Sequence, residues 1–260
     1  MTESSELPEH PLQGKVCLVT GGTRGIGRAI AEMLIAEGAS VAISGQRQES
    51  VDRALRELAE AFPAESGAGK VAGKAADVKK HDEVGELFRF IDSTFGGLDV
   101  LVNNAGVGVF RSARDLSLEE WKSVIDTNLS GVFYCSREAL FRFVTRGSGY
   151  IVNISSLAGS NAFAGGSAYN ASKFGLNGLS EAMMQDVRSD NVRVSYVMPG
   201  SVATGFGGQT ASGDRDDSGS NWKVWPKDVA EIVRMLLLMP ARTLVSRVEV
   251  RPSKPGKPGR

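Results

Sequence analysis

Hydrophobic and polar positions along this 260-residue chain follow two alternating periods. Short, almost wholly apolar runs are typical of strands that are buried on both faces of a sheet, and longer segments with apolar residues every three or four positions are typical of helices. Strands are predicted at 16–20, 40–44, 70–75, 100–102, 150–154, 192–197 and 245–250. Helices are predicted at 25–37, 49–62, 81–95, 168–187 and 225–238, with long helical material over 121–144.

This alternation predicts the fold class. Strands that alternate with helices form a parallel sheet with right-handed crossovers and helices on both faces. We therefore predict a single-domain Rossmann-type α/β fold with a doubly wound parallel sheet of about seven strands. The catalytic domain is predicted to span 14–251, between a flexible N-terminal tail at 1–13 and a flexible basic tail at 252–260. The Gly-, Ser- and Asp-rich segment 205–222 is predicted to be a substrate lid or a disordered insert.

Composition and charge narrow the classes of function. Thirty basic residues balance thirty acidic ones, so the charge favours neither nucleic acid nor a membrane as a partner. No apolar run reaches the roughly 18 residues that cross a bilayer, and the start lacks a signal-peptide core. The pair Cys17 and Cys135 is no disulfide framework, and His10 and His81 lie in polar segments that argue against a catalytic triad or a metal site. We expect a soluble cytoplasmic protein that acts on a small molecule and binds no metal.

The strongest chemical signal is the string formed by Ser156, Tyr169 and Lys173. Residues four apart share one face of a helix, so the Lys173 ammonium is expected beside the Tyr169 phenol. A neighbouring cation favours the phenolate, and we therefore expect the pKa of Tyr169 to lie below its ordinary value of about 10. Such a phenol is a usable proton donor, and beside a nicotinamide nucleotide its proton can accompany a hydride. The string indicates carbonyl reduction or its reverse.

A Gly-rich turn between the first strand and the first helix indicates where that nucleotide binds. Small residues let the backbone approach a pyrophosphate at a helix N terminus, where free amides and the helix dipole favour an anion. The turn has the sequence TGGTRGIG at 20–27. The cofactor contacts predicted in it are Gly21, Thr23, Arg24, Gly25, Ile26 and Gly27.

The residues after the second strand indicate which nucleotide is bound. An NAD-specific site has an acidic residue there for the ribose 2′-hydroxyl, whereas this chain has the sequence SGQR at 44–47. Arg47, together with Arg24, can bind a 2′-phosphate, although Arg47 can equally be a solvated loop residue. We favour NADP(H), with NAD(H) as the alternative. Asp77 and Val78, after the third strand, are further predicted contacts, with helix capping as the alternative for Asp77.

Several linked motifs together resemble one known family. They are TGGTRGIG at 20–27, NNAG at 103–106, Asn128, Ser156, YNASK at 169–173 and PG at 199–200. Their order and spacing, from about residue 12 to 250, resemble the short-chain dehydrogenase/reductase family, and within it the 3-oxoacyl-acyl-carrier-protein reductases. In that family's pattern Asn128 would hold a water that links Lys173 to solvent. Ser156, favoured over Ser155 by its separation from Tyr169, would orient the substrate oxygen while Tyr169 transfers the proton.

The resemblance also implies the remaining cofactor contacts. Lys173 would bind the nicotinamide ribose, and Thr204 would contact the nicotinamide carboxamide. The other positions that match the family's cofactor site are Asn104, Ala105, Gly106, Tyr169, Pro199, Gly200 and Val202. Phe163, Phe206 and Trp222 are candidate substrate-pocket residues, with core or lid packing as the alternative.

The expected function is an NADPH-dependent carbonyl reductase that acts on a ketone, with a 3-oxoacyl thioester as one expected substrate. A sugar or other secondary-alcohol dehydrogenase of the same family is the alternative, and a catalytically silent NADP-sensing protein is the third reading. The resemblance implies a homodimer or homotetramer. An acyl carrier protein is a further expected partner, for which Arg142, Arg146 and Arg188 are available but scattered.

Overall fold

The computed structural model describes residues 8–63, 69–206 and 222–254. Seven parallel strands form one sheet in the order β3-β2-β1-β4-β5-β6-β7. The strands are β1 (Val16–Val19), β2 (Ser40–Gly45), β3 (Val71–Ala75), β4 (Val100–Asn103), β5 (Gly149–Ile154), β6 (Val192–Pro199) and β7 (Arg247–Val250). The helices are α1 (Gly25–Ala36), α2 (Gln48–Ala61), α3 (His81–Phe95), α4 (Leu118–Ile125), α5 (Gly131–Arg146), α6 (Ser167–Val187) and α7 (Pro226–Leu238). The predicted doubly wound sheet is confirmed.

Two apolar cores, one on each face of the sheet, explain why the inner strands β1 and β4 are so uniformly apolar. On β1, Cys17 and Val19 pack with α1 and α7, whereas Leu18 packs on the other face with α3, α5 and α6. Successive side chains of a strand point to opposite faces, so both faces need apolar residues. Both cysteines are free and buried, and burial raises the pKa of the Cys135 thiol to about 12. Neither thiol is available for chemistry at neutral pH.

The order of the strands in the sheet determines where the binding crevice lies. β1 pairs with β2 on one side and with β4 on the other, so the direction of strand succession reverses at β1. Ligands of such sheets bind at the carboxyl ends of the strands beside this reversal. The motifs at 20–27, 103–106, 155–156 and 199–204 all stand at the carboxyl end of β1, β4, β5 or β6, and the fold therefore gathers them at one edge.

Four segments differ from the sequence prediction or fall outside the description. The stretch predicted as long helical material is divided by a π-helical turn, Asp126–Ser130, between α4 and α5. Leu12, assigned to the N-terminal tail, is buried, and its backbone N–H donates to the Glu37 carbonyl at 2.9 Å. The packed structure thus begins upstream of residue 14. Most of the predicted lid, 207–221, and most of the C-terminal tail, 255–260, lie outside the described residues.

None of the helices within 8–63, 69–206 and 222–254 is both long and apolar enough to cross a bilayer.

Candidate active site

A cleft of about 1340 Å³ opens at the carboxyl edge of the sheet. It is lined by residues that follow all seven strands, and it contains most of the residues that the sequence predicts to bind a cofactor. Those residues are Gly21, Thr23, Arg24, Gly25, Ile26, Asp77, Val78, Asn104, Ala105, Gly106, Tyr169, Lys173, Pro199, Gly200, Val202 and Thr204. Ser156 lines the same cleft, whereas Gly27, Arg47 and Asn128 do not.

The Gly-rich turn is held tightly against the loop after β4. Gly21 and Gly25 adopt positive φ angles of 65° and 58°, which L side chains rarely tolerate. The Asn104 side-chain amide donates to the Thr20 and Gly21 carbonyls at 3.0 and 3.1 Å. Gly27 faces this contact, and a Cβ there would lie 2.4 Å from the Gly21 carbonyl oxygen. Gly27 therefore supports the turn through close packing and does not contact the cleft.

The turn has the features that a dinucleotide pyrophosphate requires. Gly25 begins α1, and no side chain caps the first backbone N–H groups of that helix. The space over Gly25 is open, since a Cβ there would meet only the Thr204 side chain, at 3.5 Å. Arg24 is exposed at the same helix end and forms no ion pair within the described residues. Open amides, a helix N terminus and a cation together fit a bound anion.

The end of β2 differs from the sequence prediction. Arg47 is exposed and lies outside the cleft, and Gln46 lines it instead. The Gln46 side chain donates to the Asp77 carboxylate at 3.0 Å. Although burial favours the neutral acid, hydrogen bonds from Gln46 and Lys79 hold the pKa of the Asp77 carboxyl below its usual range. Asp77 does not cap α3, whose N-cap residue is Lys80 without a side-chain cap.

Ser156, Tyr169 and Lys173 meet at one end of the cleft. Ser156 follows β5, and the other two residues lie in the first two turns of α6, on one face. The Ser156 hydroxyl hydrogen-bonds with the Tyr169 phenol. The buried Lys173 ammonium donates to the Ile154 carbonyl at 2.9 Å and lies 5.8 Å from the centroid of the Tyr169 ring.

The structure distinguishes the two neighbouring serines. The Ser155 hydroxyl donates to the Asn177 side chain at 2.5 Å. The Ser156 hydroxyl interacts with Tyr169 and accepts a hydrogen bond from the Ala158 backbone at 3.1 Å. The geometry therefore favours Ser156 as the hydroxyl that orients a substrate oxygen beside Tyr169.

The pKa of Tyr169 departs from the sequence prediction. Burial raises it, and the hydrogen bond from Ser156 opposes that rise. Burial also lowers the pKa of the Lys173 ammonium to about 8. The predicted lowering of the phenol pKa by Lys173 is wrong for this structure, because burial outweighs it and the ammonium is directed to the Ile154 carbonyl. Tyr169 is thus protonated at neutral pH and can act as a proton donor.

Asn128 lies behind the cleft, fully buried in the π-helical turn. Its side-chain oxygen accepts from the Val107 N–H at 2.8 Å, and its amide donates to the Val107 carbonyl at 2.9 Å and to the Ser172 hydroxyl at 3.1 Å. Ser172 in turn donates to the Tyr169 carbonyl at 2.8 Å. Both amide hydrogens are used, so the side chain connects the loop after β4 to the helix that carries Tyr169. The water-binding role stays a prediction.

Two phenylalanine rings pack beside the Tyr169 ring, and a third packs against one of them. The centroids of Phe110 and Phe206 each lie 5.6 Å from that of Tyr169, and Phe163 lies 6.0 Å from Phe110. Phe163, Phe206 and Trp222 were predicted as pocket candidates and do line the cleft. Phe110 also lines it but was missed. Its signal in the sequence is an aromatic residue in the loop after the fourth strand, where sites of this fold class form.

The chain is similar to known oxidoreductases. The model of the short chain dehydrogenase family matches residues 15–215. A 3alpha-hydroxysteroid dehydrogenase of Mediterraneibacter gnavus is 39% identical over 193 residues, which cover 74% of this chain and 76% of that protein. A metagenomic short-chain oxidoreductase solved in complex with NADP has a TM-score of 0.79 and 35% identity, over 94% of this chain and 99% of that one. An alcohol dehydrogenase of the archaeon Thermococcus sibiricus, complexed with 5-hydroxy-NADP, has a TM-score of 0.83 and 30% identity, over 93% and 99%.

Proposed function

Because the chain belongs to the short-chain dehydrogenase family, we propose that it is an NADPH-dependent carbonyl reductase that acts on ketones with Tyr169 as the proton donor. The observation that carries the proposal is the meeting of Ser156, Tyr169 and Lys173 at one end of a cleft. Elsewhere along the same cleft, an uncapped helix N terminus and a glycine turn fit a dinucleotide. A proton donor beside a dinucleotide site is the arrangement that carbonyl reduction requires.

The chain's own residues supply the proton side of the reaction. Bound NADPH supplies a hydride for the carbonyl carbon. Ser156 donates a hydrogen bond to the carbonyl oxygen and orients it, and Tyr169 gives that oxygen its proton. The raised pKa of Tyr169 keeps the phenol protonated before this step. Lys173 is cationic below about pH 8, and its bond to the Ile154 carbonyl holds the ammonium at the same end of the cleft as Tyr169.

The preference for NADP(H) rests on three observations. The residue after β2 that lines the cleft is Gln46, so no acid at this position repels a 2′-phosphate. Arg24 is exposed beside the turn, and NADP is bound by a structural neighbour of this chain. We expect a lower dissociation constant for NADPH than for NADH in parallel fluorescence titrations. A lower constant for NADH would overturn this preference.

A free ketone is a better candidate than a carrier-bound 3-oxoacyl thioester. Neither the family match nor the relatives above single out 3-oxoacyl-acyl-carrier-protein reductases. Arg142 and Arg146, which could attract an acidic carrier, are paired with Asp92 and Asp99. They line a small cavity at the amino ends of β1 and β4, the sheet edge opposite to the cleft. The relative from Mediterraneibacter gnavus is named as a hydroxysteroid dehydrogenase, and a steroid is a free ring compound. This likeness also favours a free ketone as the substrate.

Substitution of Tyr169 by Phe tests the reductase function. We expect Tyr169→Phe to lower kcat/KM for NADPH-dependent ketone reduction by about 10²- to 10⁴-fold, because the proton donor is lost. NADPH binding, measured by fluorescence titration, should change little. Tyr134→Phe on α5 is the matched control and should retain activity. Ketone reduction by Tyr169→Phe at the wild-type rate would contradict the role of Tyr169 as the proton donor. Tight NADPH binding without turnover of any ketone, sugar or alcohol would instead favour a nucleotide sensor.

A further inference from the structure

We propose that the cleft beside Tyr169 takes uncharged ketones that carry a bulky apolar ring, and that Phe110 and Phe163 determine this preference. The inference rests on the reductase function proposed above and names its substrate class. Three features of the described residues support it: exposed aromatic rings in a concave site, a rigid backbone beneath them, and cations that already have partners.

The first feature is the exposure of two aromatic side chains inside the cleft. Phe110 is 43% exposed and Phe163 is 47% exposed, although both line a concave surface. The planes of the two rings meet at 47°. The Phe110 ring also packs edge to face with the Tyr169 ring, at an interplanar angle of 71°. Exposed apolar area of this kind is unfavourable in water and is covered when an apolar ligand binds. Aromatic rings pack favourably in tilted arrangements with centroids about 5 to 7 Å apart, so a ring of the substrate can pack against these two rings.

The second feature is that this aromatic wall is built on a fixed backbone. A Cβ on Gly108 would lie 2.7 Å from the Phe206 ring and 3.0 Å from the Phe110 ring, so the glycine lets both rings approach the loop. The buried Asn170 side chain accepts from the Phe163 N–H at 3.3 Å and donates to the Ala158 carbonyl at 2.7 Å. Asn170 therefore anchors the loop that carries Phe163 to α6, next to the proton donor. Rigid walls of this kind support selectivity for shape.

The third feature is that the nearby cations already have partners, including the buried Lys173 ammonium, which donates to the Ile154 carbonyl at 2.9 Å. Arg111, next to Phe110, pairs with Glu120 at 2.8 Å. Arg251 lines the cleft but pairs with Glu249 at 2.9 Å, and Lys223 is already engaged as well. Burial of an anionic group against aromatic rings is unfavourable unless a cation compensates it. The substrate that fits this end of the cleft is therefore neutral.

Three ketones separate the effect of the ring from the effect of charge. Acetophenone carries an aryl ring, acetone lacks it, and benzoylformate adds a carboxylate to the aryl ketone. With NADPH saturating, we expect kcat/KM for acetophenone to exceed that for each of the other two by at least about tenfold. A higher kcat/KM for benzoylformate or for acetone would overturn the proposal.

Two truncations test whether the rings cause this preference. Phe110→Ala and Phe163→Ala should each lower kcat/KM for acetophenone by about tenfold, mainly through a higher KM, and should change the value for acetone by less than about twofold. Phe174→Ala is the matched control, since Phe174 is 46% exposed on α6 and does not line the cleft. Equal losses with both ketones, or the same effect from Phe174→Ala, would contradict the assignment.

A binding measurement separates this inference from the reductase function. Acetophenone binding to the NADP⁺-loaded Tyr169→Phe variant can be followed by ligand-detected NMR, which needs no turnover. We expect binding that weakens about tenfold when Phe110→Ala or Phe163→Ala is added. If the wild-type holoenzyme reduces no ketone but this pattern appears, the reductase function fails and the aromatic site stands. If ketones are reduced but the aryl ring neither binds nor responds to the truncations, the aromatic site fails alone.

Discussion

The buried ammonium of Lys173 links catalysis to stability at the scale of a single residue. Burial lowers its pKa from an ordinary 10.5 to about 8 in the folded chain. Between these two values the unfolded chain binds more protons, so the free energy of unfolding rises with pH in this window. Below about pH 8 both states are protonated, and the folded state carries the full cost of a buried cation. The residue is thus retained at a cost in stability, as expected for a functional group.

Lys173→Met should therefore be more stable than the wild type at pH 7 while losing turnover. The substitution removes the burial cost but leaves the Ile154 carbonyl without its donor, so we expect a net gain on the order of 1 kcal/mol in the free energy of unfolding. Urea unfolding at pH 7 and at pH 9.5 measures this gain, which should shrink at the higher pH. Lys15→Met, at an exposed lysine, is the control and should show no such trend. A gain that is the same at both pH values would contradict the burial explanation.

Spacing along the chain predicted which residues meet, but not how their surroundings act on them. Tyr169 and Lys173 were placed together by helical geometry alone, and the structure has them on one face of α6. The direction of the Tyr169 pKa shift was predicted wrongly because burial comes from distant elements, including the loop of Phe110 and the segment after β6 that carries Phe206. Phe110 itself was missed for the same reason, since nothing local shows that its loop folds over the phenol.

At the scale of elements, the π-helical turn between α4 and α5 connects the two halves of the site. Its wider turn holds Asn128 where one side chain reaches both Val107, in the loop after β4, and Ser172, in α6. Such turns are rare and occur often at functional sites. Here the turn fixes the distance between a wall of the cleft and the helix that carries the proton donor.

Asn128→Ala should reduce stability as well as activity. The substitution removes three hydrogen bonds that connect the loop after β4 to α6, so we expect a loss of about 2 to 4 kcal/mol in the free energy of unfolding, measured with urea. Gln185→Ala, on the exposed part of α6, is the control and should stay within about 0.5 kcal/mol of wild type. A variant as stable as wild type but with low turnover would instead support the water-holding role of Asn128.

The elements themselves were predicted well because their periodicity is strong. Continuous apolar runs and a spacing of three to four residues gave all seven strands and the order of the helices, and the alternation of strands with helices gave the parallel sheet. The order of the strands within the sheet was not predicted. The π-helical turn could not be predicted, because one extra residue per turn hardly changes the apolar spacing over 121–144. The burial of Leu12 was also missed, since its partner Glu37 lies beyond the first helix.

At the scale of the whole molecule, an apolar stripe remains on the surface of α5. Phe133, Phe141 and Val144 are 46%, 57% and 45% exposed, and Arg137 lies 4.7 Å over the Phe141 ring between them. Their spacing of four, four and three residues puts all four on one helical face. A soluble monomer seldom exposes a contiguous apolar stripe. A second copy of the chain is the expected cover, since the same stripe on two subunits can pack about a two-fold axis.

We therefore expect a dimer in which α5 of one subunit packs against α5 of its partner. Light scattering coupled to size exclusion should give about twice the mass of one chain for the wild type. Phe141→Glu places a charge in the centre of the stripe, where its burial is unfavourable, and should shift the mass toward that of a single chain.

Met235→Glu, at an exposed apolar residue of α7, is the matched control and should remain dimeric. Because the stripe does not line the cleft, monomeric Phe141→Glu should still bind NADPH. A wild-type monomer at every concentration, or a dimer that Phe141→Glu leaves intact, would mean that α5 is not the interface.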